Sequence, residues 1–298
     1  LLIEIPIKFN LMKLAIGTAQ FGMQYGLERK KIKISEIKKI KSFLVKCKIL
    51  KIDTASNYGN SEKILGDLNF KNFKIISKLK IPKIKTSDIP NWISKEINIS
   101  LKNIKLKKLY GLLIHDYRDL NGKRGILLIN ELKKLKKRGI VKKIGISIYN
   151  PNELNKVMRI FKPEIIQFPY NVLDQRIETT GWLKKLKSLK IETYARSCFL
   201  QGLLLNFKKK NKIKNNFKIY KSILNKWFVW CSDNNISPVK GCLDFVRSQN
   251  KIDYLIIGFN DLNELREIKK NFDNKKVFIP NIFSVNNINL IDPRKWYR

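Results

Sequence analysis

The sequence predicts a single-domain α/β protein that folds as a (β/α)8 TIM barrel. Its 298 residues suit one such barrel. Short β-rich runs alternate with amphipathic helical stretches along the chain, and several runs are continuously apolar, which is typical of parallel strands buried on both faces. The first run, Leu14-Ala-Ile-Gly-Thr-Ala-Gln-Phe-Gly22, lacks the G-x-G-x-x-G spacing of an open dinucleotide-binding sheet. A closed barrel is therefore favoured over an open doubly wound sheet.

Eight strands are predicted, in strict alternation with helices. They lie at Leu14–Gly17, Ile49–Asp53, Lys74–Ser77, Tyr110–Ile114, Lys143–Ser147, Ile165–Phe168, Ile191–Tyr194 and Tyr254–Ile257. The interval between strands roughly doubles before the last one, which leaves room for an extra helix around residues 221–231. Trp227 and Trp230 lie three residues apart on that helix, a spacing that indicates a packing face more than a ligand site.

The helices are predicted from apolar residues at helical spacing, with lysines on the opposite face. Ile37, Ile40 and Leu44 are one such set. A later helix is predicted to begin at Asn150-Pro151, with Asn150 as its cap and Pro151 in its first turn.

The net charge of +38 is the most unusual bulk property of the chain. The excess is almost all Lys and is spread along every segment, which favours solvated outer helices over a binding patch. No basic stretch is interleaved with aromatic residues as in a single-strand binding platform, so no specific nucleic-acid partner is expected. A milder interpretation stays open, in which the field attracts anionic ligands.

Targeting and metal signals are weak. No apolar run reaches the length of a membrane-spanning helix, and Glu4 and Lys8 interrupt the N-terminal stretch too early for a convincing signal peptide. Met12 is a natural start, so residues 1–11 are expected to be a non-native or disordered extension before a barrel at 12–298. Four cysteines without a C-x-x-C pair, and one histidine, predict neither a disulfide framework nor a metal site. A cytoplasmic location is expected.

Chemically useful side chains follow five consecutive predicted strands. They are Asp53 and Tyr58 after the second, Ser77-Lys78 at the third, His115 at the fourth, Ser147 after the fifth, and Gln167 with Asn171 after the sixth. Because the carboxyl ends of barrel strands meet at one face, these residues are expected to surround one site.

Several of these stretches resemble the aldo/keto reductase family. D-T-A-S-N-Y-G-N-S-E at 53–62 resembles the family signature D-T-A-x-x-Y-G-x-S-E, and I-I-S-K at 75–78 and L-L-I-H at 112–115 resemble its lysine and histidine segments. Further matches are G-I-S at 145–147, Q-F-P-Y-N at 167–171, A-R-S-C-F-L-Q-G-L at 195–203 and I-I-G at 256–258. The resemblance spans about residues 12–272 and implies reduction of a small-molecule aldehyde or ketone by NAD(P)H.

The resemblance also implies the role of each catalytic residue. Tyr58 is expected to be the general acid, Lys78 the cation that lowers its pKa, and Asp53 the anchor of that cation. His115 is expected to orient the substrate oxygen. These roles are chemically reasonable. Hydride transfer leaves an alkoxide that needs a proton, and a phenol is a poor acid at neutral pH unless its anion is stabilised.

The cofactor-binding residues are likewise carried over from the family. Ser147 and Gln167 are expected to hold the carboxamide of the nicotinamide, and Arg196 to stack on its ring. The pyrophosphate is expected at Ser197, Phe199, Gln201 and Gly202, and the adenosine phosphate end at Gly258, Asn260 and Glu264.

Three departures from the family pattern matter. Ile148 stands where many relatives have an Asn, and Arg196 where many have a Tyr. The loop that commonly carries Lys and Arg for the 2′-phosphate of NADP reads G-F-N-D-L-N-E at 258–264, with Arg266 near but out of register. NADPH is the cofactor that the resemblance implies, and NADH stays open.

Other functions are weighed against the reductase. The main alternative is a reductase-like barrel that binds cofactor as a regulatory or interaction subunit, and a nucleic-acid-associated protein is suggested by charge alone. The tail L-I-D-P-R-K-W at 290–296 is expected to fold over the barrel mouth, where Trp296 either walls the substrate pocket or covers apolar surface. Short βα loops favour a polar substrate such as a sugar derivative.

Overall fold

The computed structural model describes residues 12–206 and 217–296. The predicted extension at residues 1–11 lies outside these described residues. None of the helices in the two ranges combines the length and apolar character that a membrane span requires.

Eight parallel strands close into a barrel in chain order, with the last strand paired to the first. They are β1 Lys13–Gly17, β2 Lys51–Asp53, β3 Lys74–Leu79, β4 Leu109–Ile114, β5 Val141–Ser147, β6 Ile165–Pro169, β7 Glu192–Arg196 and β8 Tyr254–Ile257. The predicted barrel is confirmed, and each strand lies within a few residues of its predicted place.

Strand β2 begins two residues later than predicted, at Lys51 instead of Ile49. The backbone N–H of Ile49 donates to the carbonyl of Leu44, 2.9 Å away. This bond belongs to the turn that ends the preceding helix, so Ile49 is not yet free to pair with a neighbouring strand.

The α-helices of the described ranges lie between the strands and after the last one. They span Ala19–Gly22, Ile34–Lys46, Ser61–Asp67, Ile89–Ile104, Gly122–Lys137, Glu153–Ile160, Arg176–Thr179, Trp182–Ser188, Lys221–Asp233, Pro238–Arg247, Leu262–Asp273 and Ile288–Ile291. Short 3-10 turns lie at Thr86–Asp88, Tyr117–Leu120, Leu200–Gly202, Lys218–Tyr220, Asn281–Phe283 and Pro293–Lys295.

The apolar stripes predicted from the sequence face the barrel. Ile37, Ile40 and Leu44 are fully buried on the inner side of their helix. The extra helix before β8 is present, and Trp227 stacks on Trp230 with ring centroids 6.0 Å apart, which agrees with a packing role.

The helix after β5 begins later than predicted. Asn150 and Pro151 form a turn that precedes it, and the first helical residue is Glu153. The side chain of Asn150 accepts from the N–H of Asn152 at 3.0 Å, so Asn150 stabilises this turn instead of the helix itself.

A small apolar cluster fills the barrel interior, apart from the larger core between strands and helices. It contains Ala15, Ile76, Leu113, Ile165, Tyr194 and Ile256 from six strands. Successive strand residues point to opposite sides of the sheet, so the side chains two positions after Ile76, Ile165 and Tyr194 face the barrel interior as well. This alternation directs Lys78, Gln167 and Arg196 towards the carboxyl end of the barrel axis.

An ionic cluster closes the opposite, amino-terminal end. Lys51 Nζ lies 3.0 Å from Glu192 Oε1 and 3.3 Å from the centroid of the Tyr110 ring. The second carboxylate oxygen of Glu192 accepts from Tyr110 Oη at 2.7 Å and from Lys143. Burial of Glu192 acts to raise its pKa, but these hydrogen bonds bring it down to about 2. The site described below lies at the other end.

Candidate active site

A chain of polar contacts links the carboxyl ends of four strands. Lys78 Nζ donates to Asp53 Oδ2 at 2.7 Å and to the carbonyl of Thr54 at 2.9 Å. The other oxygen of Asp53 accepts from Gln167 Nε2 at 2.7 Å, and Ser147 Oγ donates to Gln167 Oε1 at 3.3 Å. Residues that are far apart in the sequence are therefore fixed around one centre.

Tyr58 is carried to this centre by the loop after β2. Its ring centroid lies 5.0 Å from Lys78 Nζ and 6.0 Å from the ring centroid of His115. The loop packs tightly on the helix after β1, because a methyl group added at Gly22 would lie 1.8 Å from the carbonyl oxygen of Tyr58. Only glycine fits at residue 22 without moving the loop.

The last two residues of the family signature, Ser61 and Glu62, hold this loop in place. Ser61 Oγ donates to the carbonyl of Thr18 at 3.0 Å, and Glu62 Oε1 accepts from Ser77 Oγ at 2.6 Å and from Ser100 Oγ at 3.0 Å. Ser61 and Glu62 are both buried. Their contacts connect the loop to the first strand, to β3 and to the following helix.

The surroundings of Tyr58 differ from the expected tuning by Lys78. Burial raises the pKa of Tyr58, and the carboxylate of Asp53 raises it further. The neighbouring charge that lowers this pKa is the guanidinium of Arg196. Because burial and the carboxylate of Asp53 raise the pKa above its ordinary value, the phenol is protonated throughout the neutral range.

His115 is a neutral imidazole at physiological pH. Burial, and then the positive charges of Lys78 and Arg196, lower its pKa to about 3. Its Nδ1 is buried and has no hydrogen-bond partner among the described residues. Burial also lowers the pKa of the Lys78 ammonium, against the opposing effect of Asp53.

The residues predicted from the sequence surround one elongated pocket. Its lining includes Asp53, Tyr58, His115, Ser147, Gln167, Arg196, Ser197, Phe199, Gln201, Gly202, Gly258, Asn260 and Glu264. Three of the expected residues, Ser77, Lys78 and Asn171, do not line the pocket. Lys78 lies behind Asp53, to which it donates. The pocket runs from the catalytic cluster past the loop after β7 to the loop after β8.

The loop after β7 has an unusual backbone. Ser197, Leu200, Gln201 and Gly202 have φ values of 60°, 45°, 55° and 92°. Three of these are non-glycine residues in the left-handed region, where an L side chain costs free energy. Such strain clusters at ligand-binding loops, and turns of this kind direct backbone N–H groups towards anions.

The loop after β1 contributes residues that the sequence analysis missed. Tyr25 and Glu28 line the pocket, and the N–H of Leu27 donates to the carbonyl of Gln201 at 3.3 Å across it. A sequence signal existed, since every loop after a barrel strand opens on the same face. These residues lie eight and eleven positions past Gly17, too far for strand-end position alone to identify them.

Arg196 is held beside Tyr149 at the catalytic end. Its Nη2 donates to the carbonyl of Ile148 at 2.9 Å, and its guanidinium carbon lies 4.0 Å from the centroid of the Tyr149 ring. Tyr149, which the sequence analysis also missed, lines the pocket. The guanidinium carbon of Arg294 from the tail lies 3.4 Å from the same ring centroid, so the tail does reach the barrel mouth.

Trp296 does not wall the pocket. Its ring packs edge-on against Phe217, with centroids 5.0 Å apart, and its Nε1 donates to the carbonyl of Leu290 at 2.9 Å. Of the two expectations for this residue, cover of apolar surface is the one that the structure supports.

The closed parallel barrel, with a tyrosine, a histidine and a buried lysine–aspartate pair at the carboxyl ends of its strands, defines a (β/α)8-barrel oxidoreductase. The chain belongs to the aldo/keto reductase family, which it matches over residues 13–278. The family acts on small-molecule carbonyl compounds with nicotinamide cofactors.

Solved structures support the fold independently. Aldo-keto reductase AKR11C1 from Bacillus halodurans, in its holo form, superposes with a TM-score of 0.69 at 15% identity, over 90% of this chain and 89% of its own. Glycerol dehydrogenase AKR11B4 from Gluconobacter oxydans gives a TM-score of 0.69 at 20% identity, over 90% and 88%. None of the curated protein sequences is significantly similar to the chain.

Proposed function

We propose that the protein reduces an aldehyde or ketone to an alcohol with NAD(P)H, and that Tyr58 is the general acid. The observation that carries this proposal is the meeting of Tyr58, His115 and the Asp53–Lys78 pair at one pocket, whose lining continues to the loops after β7 and β8. A polar substrate, such as a sugar derivative, is the class that the sequence favours.

The proton comes from Tyr58. When hydride adds to the carbonyl carbon, the oxygen becomes an alkoxide and must receive a proton. A phenol whose pKa is raised by burial is fully protonated before the reaction, so it can hydrogen-bond to the carbonyl oxygen and transfer its proton as charge develops there. Arg196 is the nearby cation that lowers the pKa of the phenol, and we expect Lys78, whose Nζ lies 5.0 Å from the ring centroid, to add to the stabilisation of the phenolate once it forms.

His115 acts as an uncharged hydrogen-bond donor. With its pKa lowered to about 3, the ring carries one proton at neutral pH. Nδ1 is buried without a partner among the described residues, so placing the proton on Nε2 gives a donor that can face the substrate oxygen. The substrate oxygen would then lie between the phenol and the imidazole.

The pocket suits a nicotinamide cofactor, which supplies the hydride when bound. The loop after β7, with left-handed φ values at Ser197, Leu200, Gln201 and Gly202, would receive the pyrophosphate. Ser147 and Gln167 would hold the carboxamide, and Arg196 would lie against the nicotinamide ring. Gly258, Asn260 and Glu264 would contact the adenosine end. NADPH is the form implied by the family, although the chemistry at Tyr58 is the same with NADH.

A spectrophotometric screen tests this function. The purified protein is mixed with NADPH or NADH and a panel of aldehydes, ketones and sugars, and loss of the nicotinamide absorbance is followed. Turnover is expected with at least one carbonyl class, and the Tyr58→Phe variant serves as the control that ties turnover to this site. Cofactor binding without turnover of any carbonyl would instead favour the regulatory-subunit alternative.

A further inference from the structure

The end of the pocket away from Tyr58 is lined by two carboxylates joined through one amide. Asn260 Nδ2 donates to Glu28 Oε2 at 3.2 Å and to Glu264 Oε1 at 3.0 Å. All three residues line the pocket. Glu28 comes from the loop after β1 and Glu264 from the first turn of the helix Leu262–Asp273, so two separate elements bring negative charge to the same place.

The carboxylate of Glu264 and the amide of Asn260 are held in fixed orientations. The second oxygen of Glu264 accepts from the backbone N–H of Asn260 at 2.8 Å, and Asp261 caps the helix by accepting from the N–H of Glu264 at 2.9 Å. Asn260 Oδ1 accepts from Gln20 Nε2 at 2.7 Å. The amide nitrogen of Asn260 therefore faces both carboxylates.

Few of the described residues at this end of the pocket carry positive charge. Among the described lining residues, Arg196 is the one with a guanidinium or ammonium group, and it lies at the catalytic end beside Tyr149. Lys30 pairs with Glu28 at 2.8 Å, but its side chain is 56% exposed and is not part of the lining. Arg266 is exposed and also lies outside it.

We propose that Glu28 and Glu264 select NADH over NADPH. This inference rests on the proposed function: with the nicotinamide beside Tyr58 and the pyrophosphate along Ser197–Gly202, the remaining end of the pocket receives the adenosine ribose. A carboxylate accepts a hydrogen bond from a free 2′-hydroxyl, as acidic residues do in other dinucleotide sites, whereas a 2′-phosphate there meets like charge, and no arginine or lysine among the described lining residues of this end neutralises it.

Glu264 also has a structural role that must be separated from selectivity. Its contacts resemble a helix capping box, because Asp261 accepts from the N–H of Glu264 and the side chain of Glu264 accepts from the N–H of Asn260, the residue before the cap. Glu264→Gln removes the charge and keeps one side-chain oxygen that can accept from this N–H. Glu28→Gln likewise keeps an oxygen that can accept from Asn260.

The experiment measures the dissociation constants of NADH and NADPH by calorimetry, without any carbonyl substrate. For the wild-type protein, the Kd of NADH is expected to be at least about ten-fold lower than the Kd of NADPH. The Glu28→Gln/Glu264→Gln double variant is expected to bring the two constants within about three-fold, through tighter binding of NADPH. Added salt should narrow the wild-type difference, because it screens the repulsion.

Glu267→Gln is the matched control, since this exposed carboxylate lies on the same helix outside the pocket lining. It should leave the ratio of the two constants unchanged. Equal affinities or a preference for NADPH in the wild type would overturn the inference, and so would an unchanged ratio in a folded double variant. Failure to bind either nucleotide would instead contradict the proposed function, and the inference with it.

Discussion

The ammonium of Lys78 lies 2.7 Å from the carboxylate of Asp53, and both side chains are almost fully buried. This pair sits directly behind the pocket, where Asp53 alone reaches the surface. Gln167 donates to the other oxygen of Asp53, so neither charge is left without a partner. The pair forms the base of the site and contributes to the electrostatic environment of Tyr58.

Lys78→Met should damage both activity and stability. Removing the ammonium leaves a buried carboxylate without its counter-ion, and breaking such a pair costs about 3–5 kcal/mol of unfolding free energy. The rate of carbonyl reduction should fall as well, because a cation that stabilises the phenolate is lost. Urea denaturation and steady-state kinetics measure the two effects.

The double variant Lys78→Met/Asp53→Asn separates the loss of activity from the loss of stability. Removing both charges should recover much of the lost stability while leaving the reductase rate low. A double variant that is less stable than Lys78→Met alone would show that the ion pair is not the source of the loss.

His115 should not titrate between pH 5 and 8. Its pKa is lowered to about 3, and because it is the only histidine of the chain, its imidazole signals in an NMR titration are unambiguous. Constant chemical shifts over this range are expected. A midpoint near the ordinary value of about 6.5 would contradict the neutral, partly buried imidazole.

The same shift predicts the sign of a stability effect. Between pH 3 and the ordinary pKa of about 6.5, the unfolded chain binds more protons at His115 than the native protein does, so this contribution to the unfolding free energy rises with pH and is constant above that window. His115→Gln should remove it. The wild type and the His115→Gln variant must be compared at each pH, because other groups also contribute to the pH dependence. Glu62, Asp119 and Glu153 have raised pKa values, and their contribution to the unfolding free energy falls as the pH rises.

Glu192→Gln should destabilise the protein without changing its kinetic constants. The glutamate compensates Lys51 and Lys143 at the end of the barrel away from the site, and its loss leaves a buried ammonium unpaired, at a cost of about 3 kcal/mol or more. Glu131→Gln is the matched control, since its partner Lys134 is well exposed and such pairs contribute about 0–1 kcal/mol. Equal losses in the two variants would contradict the assigned role of the cluster.

Arg196→Ala should weaken binding of NADH and NADPH alike. If the guanidinium lies against the nicotinamide ring, its removal costs about 0.5–2 kcal/mol, or roughly 2- to 30-fold in Kd. Arg266→Ala, which removes an exposed arginine outside the pocket, should have no such effect. Unchanged affinity in Arg196→Ala would exclude the stacking contact.

The sequence predicted the barrel and most residues around its pocket, for identifiable reasons. Buried parallel strands appear in the sequence as continuous apolar runs. Because the carboxyl ends of such strands meet at one face, the proximity of Asp53, His115 and Gln167 could be predicted. The predictions failed where the outcome depends on contacts between distant loops. Neither the crossing of Leu27 to Gln201 nor the packing of Arg196 on Tyr149 leaves a periodic pattern in the sequence.

The direction of the Tyr58 pKa shift also could not be predicted from the sequence. The pairing of Tyr58 with a nearby ammonium suggested a lowered pKa, but burial and the carboxylate of Asp53 raise it, and both effects depend on the packed structure. The roles of the site residues, the cytoplasmic location and the nature of residues 1–11 stay predictions.

The central claim is that the phenol of Tyr58 donates the proton to the nascent alcohol, and the Tyr58→Phe variant tests it most directly. This change removes one hydroxyl and keeps the ring that packs beside His115. With a carbonyl that the wild type reduces, kcat should fall by about 100- to 10,000-fold, the usual contribution of a general acid, while the Kd of the cofactor stays the same. Turnover at the wild-type rate in a folded variant that binds cofactor normally would contradict the assignment of the acid.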